Sequence, residues 1–480
     1  MHDRREFYID GAWVAPREGR DFEVIDPSTE EVCGMISLGG QADTDAAVAA
    51  ARAAFDDWML SDPRERLELV KRIGEVYEAR KDDMARTISL EMGAPINLSR
   101  RSQAQSGLNH IRAFIEAFEK VEFIAPLGPH APEDRIIKEG VGVCALITPW
   151  NWPMNQITLK TIPALLAGCT MILKPSEIAP LSAHLYAEIL HEAGVPTGVF
   201  NLVHGDGPGV GTQLSGHRDV DMVSFTGSTR AGIAISKNAA DTLKRVHLEL
   251  GGKGANLIFA DADDDAVARG ARHCFNNSGQ SCNAPTRMLV QRDVYDAAVE
   301  TAREVAEATR VAAASTEGPH IGPVVSAAQF EKIQGLIQAG IDEGARLVAG
   351  GLGRPEGLNR GHFVRPTVFA DVNNQMTIAR EEIFGPVLSI IPFESEEEAI
   401  RIANDTPYGL TNYVQSQDDA RRHRVARRLR SGMVEMNGKP RGRGAPFGGM
   451  KQSGNGREGG VWGIEDFLEV KAVSGWGAED

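Results

Sequence analysis

Cysteine is scarce and shows no pairing pattern: Cys33, Cys144, Cys169, Cys274 and Cys282 are five in a chain of 480, with no CxxC spacing among them. Neither a disulfide framework nor a zinc ribbon is indicated. The twelve histidines include no HExxH or other ligand spacing, and His184 and His191 read as helix-surface positions, so no metal site is expected. Positive charge is short as well. With 51 Lys+Arg against 66 Asp+Glu the net charge is −15, which disfavours a nucleic-acid backbone or an anionic membrane surface as partner. Long apolar runs are missing: the most apolar stretch, Val141 to Lys174, is broken by Pro149, Asn151, Pro153, Asn155 and Lys160, so no membrane span is expected. The opening, Met1 to Gly11, is charged and has no apolar core, unlike a secretory signal. A cytoplasmic protein in a reducing compartment is the resulting expectation. Internal repeats and low-complexity linkers are also absent. At roughly 150 residues per domain the length suggests about three domains, or two large α/β lobes with a small appendage. Glycine is abundant, with 51 residues, which points to tight turns and close backbone approach to a ligand.

After an opening hairpin-like segment, helical spacing of apolar residues predicts two amphipathic helices, Asp43 to Met59 and Pro63 to Met92, with Asp43 and Ser61 or Asp62 as caps. Between Phe118 and Glu139, prolines and Gly128 interrupt short extended runs at 121–124 and 135–138, which predicts a hairpin-like excursion. Four short apolar runs follow: 142–147, 170–173, 199–203 and 222–225. Helical patterns at Met154 to Leu166 and Ser182 to Ala193 separate the first three. This alternation predicts right-handed crossovers and a doubly wound parallel sheet, whose ligands sit beyond the carboxyl ends of the strands. A second α/β unit starts near Gly252, with strand-like runs at 255–259, 287–290 and 387–391 and helices at 266–274, 294–311 and 326–343. The tail from Asp466 to Val473 alternates apolar with charged residues and reads as one half-buried strand.

The segments at the strand ends carry the chemistry. Thr148-Pro149-Trp150-Asn151-Trp152-Pro153 is a rigid corner: the Asn151 amide either faces a developing oxyanion or caps a helix starting at Pro153. Lys174-Pro175-Ser176-Glu177 suits ribose hydroxyls, or is a solvated turn. Gly205 to Gly211 resembles GxGxxG but places Val210 at the last glycine. Phe225-Thr226-Gly227-Ser228-Thr229-Arg230-Ala231-Gly232 opens a helical run whose free N–H groups suit a pyrophosphate, although a plain capped helix explains it equally. Leu248-Glu249-Leu250-Gly251-Gly252-Lys253 holds a carboxylate that is either solvated or buried with a raised pKa as a general base. Cys282 lies in the polar segment Asn276-Asn277-Ser278-Gly279-Gln280-Ser281-Cys282-Asn283, where an accessible thiol and a favoured thiolate are expected; the other four cysteines read as buried spectators. Glu382 and Phe384 precede a strand, and glycine-dense 446–454 follows the basic Lys439, Arg441 and Arg443.

In this order TPWNWP, KPSE, FTGST, LELGGK, GQSC, EEIFGPV and PFGGMKQSG resemble the aldehyde dehydrogenase superfamily, over essentially the whole chain. The resemblance implies two Rossmann-like, doubly wound α/β domains and a small β oligomerisation element. It divides the chain into a NAD-binding domain (1–118 and 141–251), a catalytic domain (252–452) and the oligomerisation element (119–140 and 466–480). It implies Cys282 as the nucleophile that forms a thiohemiacetal and then a thioester, Asn151 and the Cys282 N–H as oxyanion donors, and Glu249 as the base that activates water. Lys174 is counted both with this catalytic group and, with Ser176 and Glu177, at the adenosine ribose. Ser228 is expected at the pyrophosphate, and Glu382 with Phe384 at the nicotinamide ribose and ring. Ile147, Thr148, Pro149, Trp150, Gly207, Gly211, Phe225, Thr226, Gly227, Thr229, Gly232 and Leu250 are expected along the cofactor path. Trp152, Met154, Ser281, Asn283 and Phe447 are expected to line the substrate tunnel.

An acid at the ribose repels a 2′-phosphate, so NAD is expected over NADP, with NADP still tolerated through Lys174. The expected partners are a small aldehyde and further copies of the chain, as a homodimer or homotetramer. Alternatives are a CoA-acylating enzyme, against which Glu249 argues, and a semialdehyde dehydrogenase gripping a substrate carboxylate with Arg441 and Arg443. Trp152 and Phe447 favour an uncharged aldehyde instead.

Overall fold

The computed structural model describes residues 2–477; Met1 and residues 478–480, the end of the 466–480 segment, lie outside them. Strands Val143–Ile147, Thr170–Lys174 and Met222–Thr226 are buried at every residue. Parallel strands covered on both faces need such continuous apolar runs. Their side chains alternate between two cores: Cys144, Leu146, Met171 and Leu173 face one, and Val143, Ala145, Ile147 and Ile172 the other. Five parallel strands form the middle of an eight-stranded sheet, in the order Arg245–Glu249, Met222–Thr226, Val143–Ile147, Thr170–Lys174, Phe200–Leu202. Antiparallel strands close its edges, Gly454–Asn455 beside Arg245–Glu249 and Phe7–Ile9 beside Phe200–Leu202. The chain begins this parallel set at Val143–Ile147, builds outward on one side and then returns to the other. The switch point therefore lies between Val143–Ile147 and Met222–Thr226.

A second sheet of seven strands runs Arg346–Ala349, Thr367–Ala370, Val387–Phe393, Arg287–Gln291, Ala255–Ile258, Thr411–Gln415, Met433–Met436, parallel except for its first pair. The fold is thus mixed α/β with two large, mainly parallel sheets. The excursion is a hairpin, Ile124–Gly128 with Ala131–Gly140, and the tail strand Leu468–Val473 pairs antiparallel with its second arm.

One helix prediction is corrected. The periodic stretch from Pro63 to Met92 is two helices, Pro63–Ala79 and Lys81–Met92, broken where Arg80 takes φ −100° and ψ 11°. Asp62 caps the first by accepting the Arg64 N–H at 2.8 Å. Four strands of the second sheet were not evident from periodicity. Thr411–Gln415 is polar in sequence yet wholly buried, because Asn412 accepts the Ala255 N–H at 2.9 Å and Gln415 donates to Asn256 Oδ1 at 2.9 Å.

Candidate active site

The switch point opens into a cavity of about 210 Å³ lined by residues that include Pro149, Trp150, Asn151, Thr226, Gly227, Ser228, Leu250, Glu382, Phe384 and Cys282. The buried hydroxyl of Thr226, which lines it, has no partner, and neither has that of Thr148, at the end of the neighbouring strand. Ser228 caps helix Thr229–Ala239, accepting the Ala231 N–H at 3.3 Å, and the helix start faces the cleft. The capped-helix reading of that segment holds, and the cap residue Ser228 also borders the cavity. The Glu382 carboxylate accepts the Gly252 N–H at 2.8 Å, and burial raises its pKa. Phe384, at φ 58°, stands edge-on to Trp150 with centroids 5.4 Å apart. Lys174 Nζ lies 3.4 Å from Glu177 Oε2, and burial lowers the lysine pKa. At Gly207 an added Cβ would meet nothing within 4 Å, so the backbone there is open to a ligand. Unpartnered hydroxyls, a helix N-terminus, a Lys/Glu pair and an open glycine turn are what a dinucleotide requires. Ile147 and Phe225 belong to the apolar core instead, the Thr229 hydroxyl donates to the Gln452 carbonyl at 3.2 Å, and Gly232 packs against Leu250.

Cys282 owes its position to an unusual turn. Asn277, Ser278 and Gly279 take consecutive left-handed conformations, φ 53°, 56° and 74°. A Cβ on Gly279 would fall 2.0 Å from the Gly385 carbonyl oxygen, so only glycine fits. Buried amides fix the turn: Gln103 Nε2 and Asn277 Nδ2 donate to the Asn151 carbonyl at 3.0 and 3.1 Å, and Asn151 Nδ2 donates to the Gln280 carbonyl at 3.1 Å. Gln280 in turn accepts the Val325 N–H at 2.9 Å. Asn151 therefore does not cap the helix that begins at Pro153, whose cap position is Trp152 with no side-chain bond. The Cys282 prediction needs correction. A favoured thiolate was expected, but burial pushes the thiol up to about 12, aided by the Glu382 and Glu249 carboxylates and opposed by Arg441.

A second cavity, of about 420 Å³, is also bordered by Cys282, with residues including Trp152, Asn155, Asn283, Arg441, Arg443, Phe447 and Glu458. Trp152 Nε1 donates to Ser281 Oγ at 2.8 Å, which sets the indole beside the nucleophile loop. Arg441 is held by Glu435 at 2.9 Å and lies 4.8 Å from the Phe447 ring centroid; Arg443 is held by Glu116 at 2.9 Å. Two placements are corrected. Met154 is fully buried in the core between helices and lines no tunnel, because its side of the helix faces Gly107. Lys174 borders neither cavity that touches Cys282; its amine is spent on Glu177, one strand over.

Glu249 sits behind Gly448, 2 % exposed, with neither carboxylate oxygen hydrogen-bonded and its pKa raised by burial. Two positions earlier on the same strand face, His247 Nε2 is 3.7 Å from Glu249 Oε1, and His247 Nδ1 is 2.5 Å from Asp466 Oδ2. Burial depresses the imidazole pKa, but the neighbouring Asp466 and Glu249 carboxylates outweigh it and lift the value to about 9. Lys160 and Glu458 form a buried ion pair at 2.5 Å nearby. No group of three or more His, Cys, Asp or Glu side chains able to hold a metal ion occurs among the described residues.

Residues 13–473 match the model of the aldehyde dehydrogenase family. The chain belongs to that family. Among similar proteins, a 3-succinoylsemialdehyde-pyridine dehydrogenase of Pseudomonas sp. is 53% identical over 478 residues, 99% of each chain. An aldehyde dehydrogenase from Bartonella henselae superposes with a TM-score of 0.98 at 60% identity, covering 99% of this chain and 100% of that one. A mutant of aldehyde dehydrogenase C from Pseudomonas syringae, solved with NAD+ and octanal, gives 0.97 at 48% identity, covering 99% and 98%. Around the two cavities and Glu249 the structure places several residues that motif reading passed over: Gln103, His247, Lys160, Glu435 and Glu458. Of these, His247 alone was signalled, by its period-2 spacing from Glu249.

Proposed function

We propose that the protein oxidises an uncharged aldehyde to a carboxylic acid, with Cys282 as nucleophile and NAD as cofactor. The observation that carries this reading is that Cys282 lines two cavities, one at the sheet's switch point and one that Trp152 and Phe447 also line. The residues present suit the cofactor: Lys174 and Glu177 for the adenosine ribose, Gly227, Ser228 and the helix start for the pyrophosphate, and Glu382 with Phe384 for the nicotinamide end. When bound, NAD supplies a hydride acceptor with a positively charged ring. Cys282 loses its thiol proton to water in the outer cavity as Sγ attacks the aldehyde carbon, and the resulting oxyanion is held by Asn151 Nδ2 and the Cys282 N–H, each donor contributing about 2.7–4 kcal/mol. Loss of hydride from that carbon leaves a thioester on Cys282. Glu249 takes a proton from water, whose oxygen adds to the thioester carbon; the tetrahedral adduct collapses, the thiolate leaves and the acid departs.

Substrate class rests on the outer cavity. Arg441 and Arg443 border it, but each already faces a carboxylate, so neither is a free cation for an anionic tail. Trp152 and Phe447 offer flat apolar faces, in keeping with the pyridine ring in the name of the Pseudomonas relative. The carboxylate-bearing semialdehyde remains the second reading, favoured by the presence of the two arginines. Glu177 beside Lys174 supports NAD over NADP, and equal kcat/KM for the two would refute that preference. The division of the chain into NAD-binding (1–118 and 141–251), catalytic (252–452) and assembly (119–140 and 466–480) parts belongs to the same proposal. A homodimer or homotetramer is supported by the three-stranded sheet, whose tail strand exposes Val470 and whose hairpin exposes Ile124 and Leu127. The test mixes protein, NAD and a panel including octanal, benzaldehyde and succinic semialdehyde, and follows reduced nicotinamide by its absorbance. Reduction abolished by Cys282→Ala supports the reading; parent-level reduction by that variant refutes it.

A further inference from the structure

Several polar groups that border the outer cavity are already engaged. Ser106 donates to the Gln103 carbonyl at 2.8 Å, Trp152 Nε1 donates to Ser281 at 2.8 Å, and Arg441 and Arg443 face Glu435 and Glu116. Asn155 is only half engaged. Its Oδ1 lies 2.7 Å from His110 Nε2, a bond that joins helix Pro153–Ala167 to helix Ala104–Phe118 across the cavity wall. An amide oxygen only accepts, so the imidazole proton sits on Nε2. Burial lowers the His110 pKa, with the Arg441 charge adding to it and Asn155 and Glu458 opposing it, so the ring is neutral at neutral pH. The two helices touch beside this bond: a Cβ on Gly107 would stand 3.2 Å from Met154 Cβ. Turning the Asn155 amide over would set one N–H against the other. Its Nδ2, without a partner among the described residues, is therefore a fixed donor at the cavity wall.

The height of that donor above the nucleophile follows from the helix. Trp152 at its cap position, Asn155 and Leu159 all border the cavity, and their i, i+3, i+7 spacing sets them on one face. Trp152 stands beside the nucleophile loop, Asn155 lies about 4.5 Å further along the axis, and Leu159 about 6 Å beyond that. A substrate leaving Cys282 thus passes an indole, then an N–H donor, then an apolar side chain. We propose that Asn155, locked by His110, selects an uncharged aldehyde bearing a carbonyl oxygen roughly three carbons from the reacting carbon, with an apolar remainder. The proposal rests on the aldehyde-oxidation reading and narrows its substrate class. A keto oxygen accepts the Nδ2 hydrogen, whereas an alkanal of the same length covers the donor without pairing it. The Glu458 oxygen that Lys160 leaves free borders the same cavity and disfavours a carboxylate tail. His110 acts through Asn155 and is a positioning residue.

The test compares octanal with its γ-keto derivative, equal in chain length, on the parent, Asn155→Leu, Asn155→Asp and His110→Phe, reading kcat and KM separately with NAD. The parent should favour the keto aldehyde by on the order of tenfold in kcat/KM, carried by KM, because the same hydrogen bond is made in the ground and transition states. Asn155→Leu should bring the ratio of the two kcat/KM values near one. Asn155→Asp, which presents only acceptors, should bring it below one. His110→Phe should fall between the parent and Asn155→Leu, because the amide is then free to turn. Damage to the fold alone lowers both aldehydes alike and leaves the ratio where it was. A parent ratio near one, or a ratio that survives both Asn155 substitutions, overturns the proposal. If neither aldehyde reduces NAD, the oxidation reading fails by itself. Titration of Cys282→Ala with the two compounds, followed by quenching of tryptophan fluorescence, then decides the selection: tighter binding of the keto aldehyde sustains it, and equal affinities overturn it.

Discussion

Gly279→Ala tests the claim that the nucleophile's position is dictated by backbone geometry. The new Cβ would stand 2.0 Å from the Gly385 carbonyl oxygen and 2.6 Å from Pro386 N, both backbone atoms that cannot swing aside. A methyl in the left-handed region costs about 1–2 kcal/mol. Opening the contact to an ordinary distance requires a displacement on the order of 1 Å, and overpacking of that kind adds about 1–3 kcal/mol. The sum, about 2–5 kcal/mol, is relieved by shifting the loop that carries Cys282. A misplacement of about 1 Å at a reacting group costs on the order of 100-fold in rate. The expected result is a lower melting temperature and a kcat/KM for octanal reduced by about two orders of magnitude, measured beside Gly335→Ala. At Gly335, within helix Ala327–Asp342, an added Cβ meets nothing within 4 Å, so that control should be silent or slightly stabilising. If Gly279→Ala melts and turns over like the control, the turn is not what holds the thiol.

Alkylation of Cys282 by iodoacetamide in the cofactor-free protein should rise about tenfold per pH unit through pH 9, because the thiol is pushed up to about 12; a plateau near neutrality would refute the assignment. Lys160→Met leaves Glu458 buried and uncompensated and should destabilise by about 3–5 kcal/mol in denaturant titrations, whereas Lys160→Met with Glu458→Gln should recover most of the loss; equal loss in both would show the pair matters only through shape. The His247 imidazole, ordinarily near 6.5, is lifted to about 9 in the fold, so it binds its proton more tightly folded than unfolded. Its stabilisation, on the order of 3 kcal/mol, is fully present below pH 6.5 and is lost as pH rises through 9. Melting temperatures should therefore fall over that window more steeply in the parent than in Asp466→Asn, and parallel curves would contradict the coupling.

The parallel strands of the first sheet were legible because each is a short, unbroken apolar run, and the strand-end motifs followed in order. Thr411–Gln415 was hidden because its burial depends on amide bonds to Ala255 and Asn256, partners 157 and 159 residues away that no local pattern reveals. The helix break at Arg80 coincides with the polar run Arg80-Lys81-Asp82-Asp83, a gap in the apolar spacing that the reading of 63–92 as one helix passed over. Cys282 was recognisable as the cysteine in a polar, glycine-containing segment, yet its raised pKa was not, because its main cause is burial by the tertiary fold, and the assisting carboxylates, Glu382 and Glu249, come from two other segments. Met154 was misplaced for a related reason: the helix after Trp152 is buried nearly all round, so position along it does not tell which side faces the cavity.

The amide cluster of Gln103, Asn151, Asn277 and Gln280 ties a helical segment near residue 100, the corner after one sheet and the turn before another into a single knot. Because each member satisfies the next, one cannot melt while its neighbours stay ordered. On gentle heating or in dilute urea, sulfur and oxyanion donor should thus fall out of register together, and inactivation should run as a single sigmoidal event rather than as the gradual fraying of separate parts.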